Sequence, residues 1–194
     1  MTTKANKDSQ QEMVTLDEAK EHVRRVCLMV GRLHLAFART IVDELGEKEG
    51  KKLVLKAIKA FGVRGGEQLK AAVLAQGKKN TPENRPRRPL PPGMHDRVPE
   101  WAQIEGESRS QAFGCVMGKF WLEAGEGELG RLYCFCDTSS YMAYNPDYKM
   151  VHLKALPDGD PYCELVVRPT TEQERKDFAA GEDWEYIDRP ENQA

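Results

Sequence analysis

The segment RLYCFCDTSSYMAYNP, residues 131–146, places two thiols and a carboxylate, Cys134, Cys136 and Asp137, within four residues. Cys115 lies upstream and Cys163 downstream, so four of the five cysteines fall between positions 115 and 163. Such a set could be a metal cage, a redox pair, a nucleophile with helpers, or a sulfur-rich patch of core. A structural zinc site is normally built on paired C-x-x-C spacings, and a dithiol redox motif on a single one. The chain has neither. On a helix, Cys134 shares a face with Asp137 and Tyr141, and Cys136 with Ser140 and Tyr144. On a strand, the two thiols would share a face and Asp137 would point away. The run DTSSYMAY has no strand alternation, so a helix is predicted, with its thiols on different faces. That weakens the metal reading.

A nucleophilic thiol makes a further demand. At an ordinary pKa near 8.5, only about 3% of a thiol is ionised at pH 7, and lowering that pKa by about 1.5 units takes roughly 2 kcal/mol of thiolate stabilisation. An ionised Asp137 would oppose this, so Asp137 fits a base, a proton relay or a substrate anchor better. Arg131 is the local cation that could stabilise a thiolate. His152 alternates with Val151 and Leu153, so it is either exposed or turned to the site as a candidate base. His34 and Cys27 fall on the apolar side of the first helix and read as core, whereas His22 and His95 read as exposed.

The elements that must position these residues follow from periodicity. Apolar residues recur at helical spacing from Leu16 through Val23, Val26, Val30, Leu33 and Phe37 to Leu45. Thr15 and Glu18 form a capping-box pattern at the start, and Gly46 is a stop. This predicts a helix of about 30 residues, roughly 45 Å long. Helices over about 47–60 and 66–75 follow, joined by a turn at FGVRGGEQLK, whose glycines lack dinucleotide-fingerprint spacing. The stretch GKKNTPENRPRRPLPPGMHDRVP has six prolines between Pro82 and Pro99 and can be neither helix nor central strand. It reads as a linker, a surface wrap or a lid. Residues 101–112 read as one strand, FGCVMGKFWLEAG as a short helix, and VHLKALPDGDPYCELVV as a β-hairpin. A short helix from Thr171 to Ala179 and an acidic tail close the chain. The expected organisation is one domain: a disordered arm at 1–14, a helical region at 15–76, the basic loop at 77–99, an α+β core at 100–168 carrying the site, and the helix and tail at 169–194.

With 40% hydrophobic and 31% charged residues, the composition suits a soluble globular protein. No apolar run reaches the roughly 18 residues of a membrane span. The opening MTTKANKDSQQEM has no apolar core of a secretory signal. An odd number of cysteines fits a reducing, cytoplasmic setting better than a disulfide framework. A net charge of −2 argues against a dedicated nucleic-acid binder. Charge is nonetheless uneven. Residues 78–98 carry six Lys/Arg against two acids, and residues 169–194 three against eight. Both read as solvated segments, or else as segments that touch each other.

Taken in order, Cys115, then ELGRLYCFCD, then Asn145-Pro146, then LPDGDPYC, the chain resembles the L-2-amino-thiazoline-4-carboxylate hydrolase family over about residues 111–168. The basic Pro-rich stretch, the acidic tail and Cys136 lie outside that pattern. The resemblance implies an α+β fold with N-terminal helices packed on a small antiparallel sheet, with suspected kinship to 4-vinyl-reductase and trafficking-complex ligand-binding domains. It implies a small-molecule substrate, no cofactor, and hydrolytic opening of a sulfur- and nitrogen-containing ring. The carried-over site is Cys115, Cys134, Asp137, Asp160 and Cys163, to which His152, Tyr141 and Arg131 are added as neighbours. In that reading Cys134 attacks or polarises the electrophilic carbon, Asp137 handles protons and Asp160 orients the ring. Two readings of other classes stand beside it. One is a non-enzymatic small-molecule or lipid-binding module with a pocket lined by Phe113, Phe120, Trp121 and Tyr144; the other is a metal or redox protein. A helix as long as the first also predicts a homodimer through its apolar stripe.

Overall fold

The computed structural model of the chain describes residues 13–86, 90–181 and 183–188. The arm expected over residues 1–14 therefore lies outside the described residues, apart from Met13 and Val14. The first helix, α1 (Leu16–Leu45), starts with the capping box: Thr15 accepts from the Glu18 amide, and Glu18 accepts from the Thr15 amide. It stops at Gly46, whose φ of 79° suits a residue without a side chain.

The next element corrects the sequence reading. Instead of two helices and a turn, residues Glu47–Leu74 form one helix, α2. Gly62 and Gly66 do not break it; they let another helix come close. A Cβ at Gly62 would collide with Ser139 Oγ and the Cys136 carbonyl, and one at Gly66 with the Ser140 carbonyl. The facing helix is α4 (Gly127–Tyr144), and its contact with α2 is the most extensive between any two elements. The short α3 (Val116–Glu123) precedes it.

Residues 101–112 also depart from expectation. They form two strands, β1 (Glu100–Ile104) and β2 (Glu107–Ala112). Glu105 and Gly106 turn between them with φ of 52° and 81°, the positive-φ pair that a two-residue hairpin favours. The hairpin expected downstream is present as β3 (Tyr148–Lys154) and β4 (Cys163–Pro169). All pairings are antiparallel and the strand order is β1-β2-β4-β3. The fold is thus α+β, with helices packed beside a small antiparallel sheet. The last helix, α5 (Glu172–Ala180), carries the second predicted capping box, Thr171 with Glu174. No described helix is long and apolar enough to cross a membrane.

Two further expectations change. The acidic tail is not simply solvated: Trp184 and Ile187 are buried in the core with Phe135, Leu132 and Val54. The aromatic and aliphatic residues between the acids supply the apolar area that holds it down. The basic loop, residues 77–99, is likewise held to the fold. That loop wraps the far end of α4, where Tyr144 Oη donates to the Thr81 carbonyl at 3.0 Å and Asn80 Nδ2 to the Tyr144 carbonyl at 2.9 Å. On α1, the buried face is Cys27, Gly31, His34, Ala38 and Val42, while Val26, Leu33, Phe37 and Leu45 of the apolar stripe are exposed. Small residues let α1 approach its neighbours, as Gly31 does beneath Phe120 and Trp121. The bulky apolar row lies to one side of that face.

Candidate active site

On α4 the helical repeat puts Arg131, Cys134, Asp137 and Tyr141 on one face, at steps of three, three and four residues. Thr138, buried on the same helix, donates through Oγ1 to the Met150 carbonyl at 2.8 Å and locks α4 to β3. This lock brings His152 of β3 beside Asp137. Asp188, in the 3-10 turn Glu185–Asp188, closes the group from the other side.

The centre of the site is an imidazole between two carboxylates. His152 Nδ1 lies 3.0 and 3.1 Å from the two oxygens of Asp188, and the His152 amide donates to the same carboxylate at 2.8 Å. Arg131 donates from Nη2 to Asp188 at 2.8 Å and from Nε to Asp158 at 3.1 Å. On the opposite side, His152 Nε2 is 3.7 Å from Asp137 Oδ2. Burial by itself would raise the Asp188 carboxyl, but the charges of His152 and Arg131 outweigh it and hold the pKa at about 2. A carboxylate ionised at neutral pH can only accept, so Nδ1 carries a proton and donates it to Asp188, and Nε2 is the ring nitrogen turned toward Asp137.

Asp137 is the counterpart. Its side chain keeps 49% of its accessible surface although protein atoms crowd around it, whereas Asp188 is fully buried. That crowding pushes the Asp137 carboxyl above its ordinary pKa, with the His152 charge opposing.

The thiols are neutral. Burial pushes Cys134 well above its ordinary value; the nearby Arg131 charge opposes this without overcoming it, and Arg131 is shared with Asp188 and Asp158. The low pKa that a Cys134 nucleophile demands is therefore missing here. Cys134 lies within electrostatic reach of Cys163, Asp137 and Cys115, so the motif residues do converge. Cys115 sits at the start of α3, where burial raises its pKa against the pull of the Gly118 and Met117 amides. Burial also pushes Cys163 up to about 11, even though its Sγ accepts from the Leu156 amide at 3.3 Å. Cys136 is carried on the side of α4 that Gly62 of α2 approaches. Among the described residues, no group of three or more His, Cys, Asp or Glu is placed to hold a metal ion.

Asp160 acts locally. Its Oδ2 accepts from the Ala155 amide at 2.8 Å and ties the turn between β3 and β4. Tyr141 is buried under the Arg85 guanidinium, 3.8 Å from its ring centre. His95, expected to be exposed, has a buried Nδ1 without a hydrogen-bond partner. Of the four aromatic residues of the binding-module reading, Phe120 and Trp121 lie together over Gly31, and Tyr144 donates to the Thr81 carbonyl. Trp121 packs with His34 and Tyr133, while Phe113 stacks on Tyr162. Sequence reasoning misses Asp188 and Arg85. Only the apolar Trp184 and Ile187 beside Asp188 hint that its segment returns to the core, and only the basic composition of the loop hints at Arg85.

Thiols, a raised carboxyl and an imidazole fixed by Asp188 thus come together at one face of α4. The family model described as L-2-amino-thiazoline-4-carboxylic acid hydrolase matches residues 27–167, and the chain belongs to that family. The match runs from within α1 to β4, well beyond the motif segment, and stops before Asp188. The family's name points to a hydrolase acting on a thiazoline carboxylate. No curated protein and no solved structure matches the chain.

Proposed function

We propose that the protein opens the ring of a small 2-aminothiazoline carboxylate by adding water at C2, with His152 as base and Asp137 as acid. The observation that carries this reading is the unequal pair of carboxylates about His152. Asp188, held ionised, orients the imidazole, and Asp137, pushed the other way, retains a proton more readily. Groups whose surroundings drive their pKa values apart divide acid and base work between them.

The ring carbon C2 carries two nitrogens and a sulfur. His152 Nε2 takes a proton from water as its oxygen bonds to C2, giving a tetrahedral carbon. The C2–S bond then breaks, and the Asp137 proton passes to the departing sulfur. Sulfur leaves in preference to nitrogen because a thiolate is far less basic than an amide anion. The electron pair of the C2=N bond, moved to the ring nitrogen when water adds, takes up the remaining hydroxyl proton as that oxygen becomes a urea-type carbonyl, and the product gains a free thiol. The imidazolium, 3.7 Å from Asp137, returns a proton to it by a small side-chain rotation. Cys134 is a neutral contact to the ring in this scheme, and Cys115 and Cys163 complete the sulfur-rich wall.

The test is turnover of L-2-amino-thiazoline-4-carboxylate, read as thiol release and, by mass spectrometry, as addition of one water. Asp137→Asn and His152→Gln should each lower kcat by roughly 10²–10⁴-fold, while Cys134→Ser should stay within about tenfold of the parent. An inactive Cys134→Ser beside an active Asp137→Asn would restore the thiol as nucleophile. A parent protein without turnover would sink the reading altogether.

A further inference from the structure

Two guanidinium groups bear on Asp137, and they are differently engaged. Both the Arg131 and the Arg85 charges oppose the rise of the Asp137 pKa, so both lie within electrostatic reach of the carboxyl. Arg131 already bonds two carboxylates, Asp188 and Asp158. A third anion brought to it would face both of those negative charges. Arg85 reaches α4 from the basic Pro-rich loop. It donates from Nη2 to Ser140 Oγ at 2.9 Å and lies over Tyr141, 3.8 Å from the ring centre and 5.8 Å from that of Tyr144. Its Nε is buried without a hydrogen-bond partner, and no carboxylate is paired with it among the described residues. Of the two acids of its own loop, Glu83 is turned to the Thr81 hydroxyl and Asp96 pairs with Lys119.

We propose that Arg85 is the anchor for the substrate's carboxylate, held in place by Tyr141 and Ser140 at the Asp137 end of the site. This rests on the thiazoline-carboxylate reading above and adds the residue that selects the acid over the neutral ring. Packing on Tyr141 restrains the guanidinium, and one neutral hydroxyl takes a single N–H. The remaining donors keep the fork that pairs with a carboxylate. An unsatisfied buried N–H is costly, and a bound carboxylate drawing the guanidinium toward it can relieve that cost. The division of labour follows: Arg131 holds Asp188 and through it His152, while Arg85 holds the ligand. The Pro-rich loop thereby acquires a positioning role, because the restricted φ of Pro82 and Pro86, which bracket Arg85, limits the paths the loop can take.

The experiment is calorimetric titration with thiazolidine-4-carboxylate, a saturated ring without the C2=N bond, and with thiazolidine, which lacks the carboxylate. The parent protein should bind the acid at least tenfold more tightly than the neutral ring. Arg85→Met should abolish the difference by weakening only the acid, and Arg85→Lys, which keeps charge without the fork, should restore part of it. Equal weakening of both ligands in Arg85→Met, unchanged affinity for the acid, or a parent that does not discriminate would each overturn the assignment. Carboxylate-dependent binding without turnover would remove the hydrolase reading and leave Arg85 standing. Turnover without discrimination would do the reverse.

Discussion

On the β3 side of α4, the side chains of Arg131, His152 and Asp188 are almost fully withdrawn from water, and the first two both bond to Asp188. Between α1 and α2, Leu33 and Phe37 are more than half exposed along a groove of about 300 Å³ lined also by Val30, Ile41, Val54 and Ile58. Charge is buried where apolar residues would be expected, and apolar surface is open where charge would be. Buried ion pairs seldom add stability over a hydrophobic substitute, because desolvation offsets their attraction. A triad that survives this cost is better explained by what it positions, here the Nδ1–H form of His152. The groove imposes the opposite cost, in exposed hydrocarbon, and calls for a cover.

The largest expected effect comes from breaking the triad. Asp188→Ala removes the carboxylate and leaves Arg131 and His152 buried together without their common partner. Loss of about 3–5 kcal/mol is expected on the general behaviour of split buried pairs, read as a lowered denaturant midpoint. Activity should fall as well, because the imidazole loses its tautomer lock. An Asp188→Ala variant as stable as the parent would mean that the triad is not a connected unit.

Acid should erode the same unit. Asp188 has a folded pKa of about 2 against an ordinary 3.8. Its contribution is therefore complete above the unfolded value and is lost as pH falls through the folded one. The window lies between about pH 4 and pH 2, with a loss on the order of 2 kcal/mol. Asp137 is displaced upward, so its contribution has the reverse sign, being present below the unfolded value and lost as pH rises through its own raised pKa. Acid unfolding of the parent beside Asp188→Asn separates the two: the variant should lose the Asp188 part of the slope and keep that of Asp137.

How much of this is legible in the sequence differs between the two regions in the same way. α4 and its register, with Arg131, Cys134, Asp137 and Tyr141 on one face, follow from short-range spacing, which a helix repeat fixes, whereas His152 reaches Asp137 only through the Thr138 bond between α4 and β3. Asp188 does not, because its pairing with Arg131 spans 57 residues and no local pattern encodes it. The glycines of α2 mislead because glycine serves both turns and close approach, and only the partner helix decides. The α1 stripe is legible as apolar, but its direction is not, since Gly31 and Ala38 pack more closely than Leu33 or Phe37 can.

That ambiguity can be sharpened with a pair of glycines. Gly62→Ala gains up to about 1 kcal/mol of helix propensity but sets a methyl group against Ser139 and the Cys136 carbonyl. Overpacking typically costs about 1–3 kcal/mol, so a net loss of about 1–2 kcal/mol is expected. Gly65→Ala, where the nearest atom, Ser140 Oγ, is 4.0 Å away, should instead stabilise by a few tenths up to about 1 kcal/mol. Equal changes at both positions would refute the close-approach account of α2 and α4.

The smallest effect on the fold, and the clearest on assembly, is expected at the groove. Phe37 is 63% exposed, so Phe37→Glu should change the stability of an isolated chain by no more than about 0.5 kcal/mol. A second copy of α1 is the cover we expect, because a 30-residue helix brings its own row of Val26, Met29, Leu33 and Phe37 to meet the same row across a two-fold axis. Each such side chain withdrawn from water contributes roughly 1.5–3 kcal/mol, and several together outweigh the entropy cost of pairing at micromolar concentration. Gel filtration with light scattering should then give about 44 kDa, twice the 22.0 kDa of one chain. Phe37→Glu should return the mass to 22.0 kDa by placing a charge in the seam of both copies. A parent protein that runs at 22.0 kDa would show that the groove is left open or is covered by residues outside those described. The contrast with the triad would then be one of tolerated exposure against enforced burial.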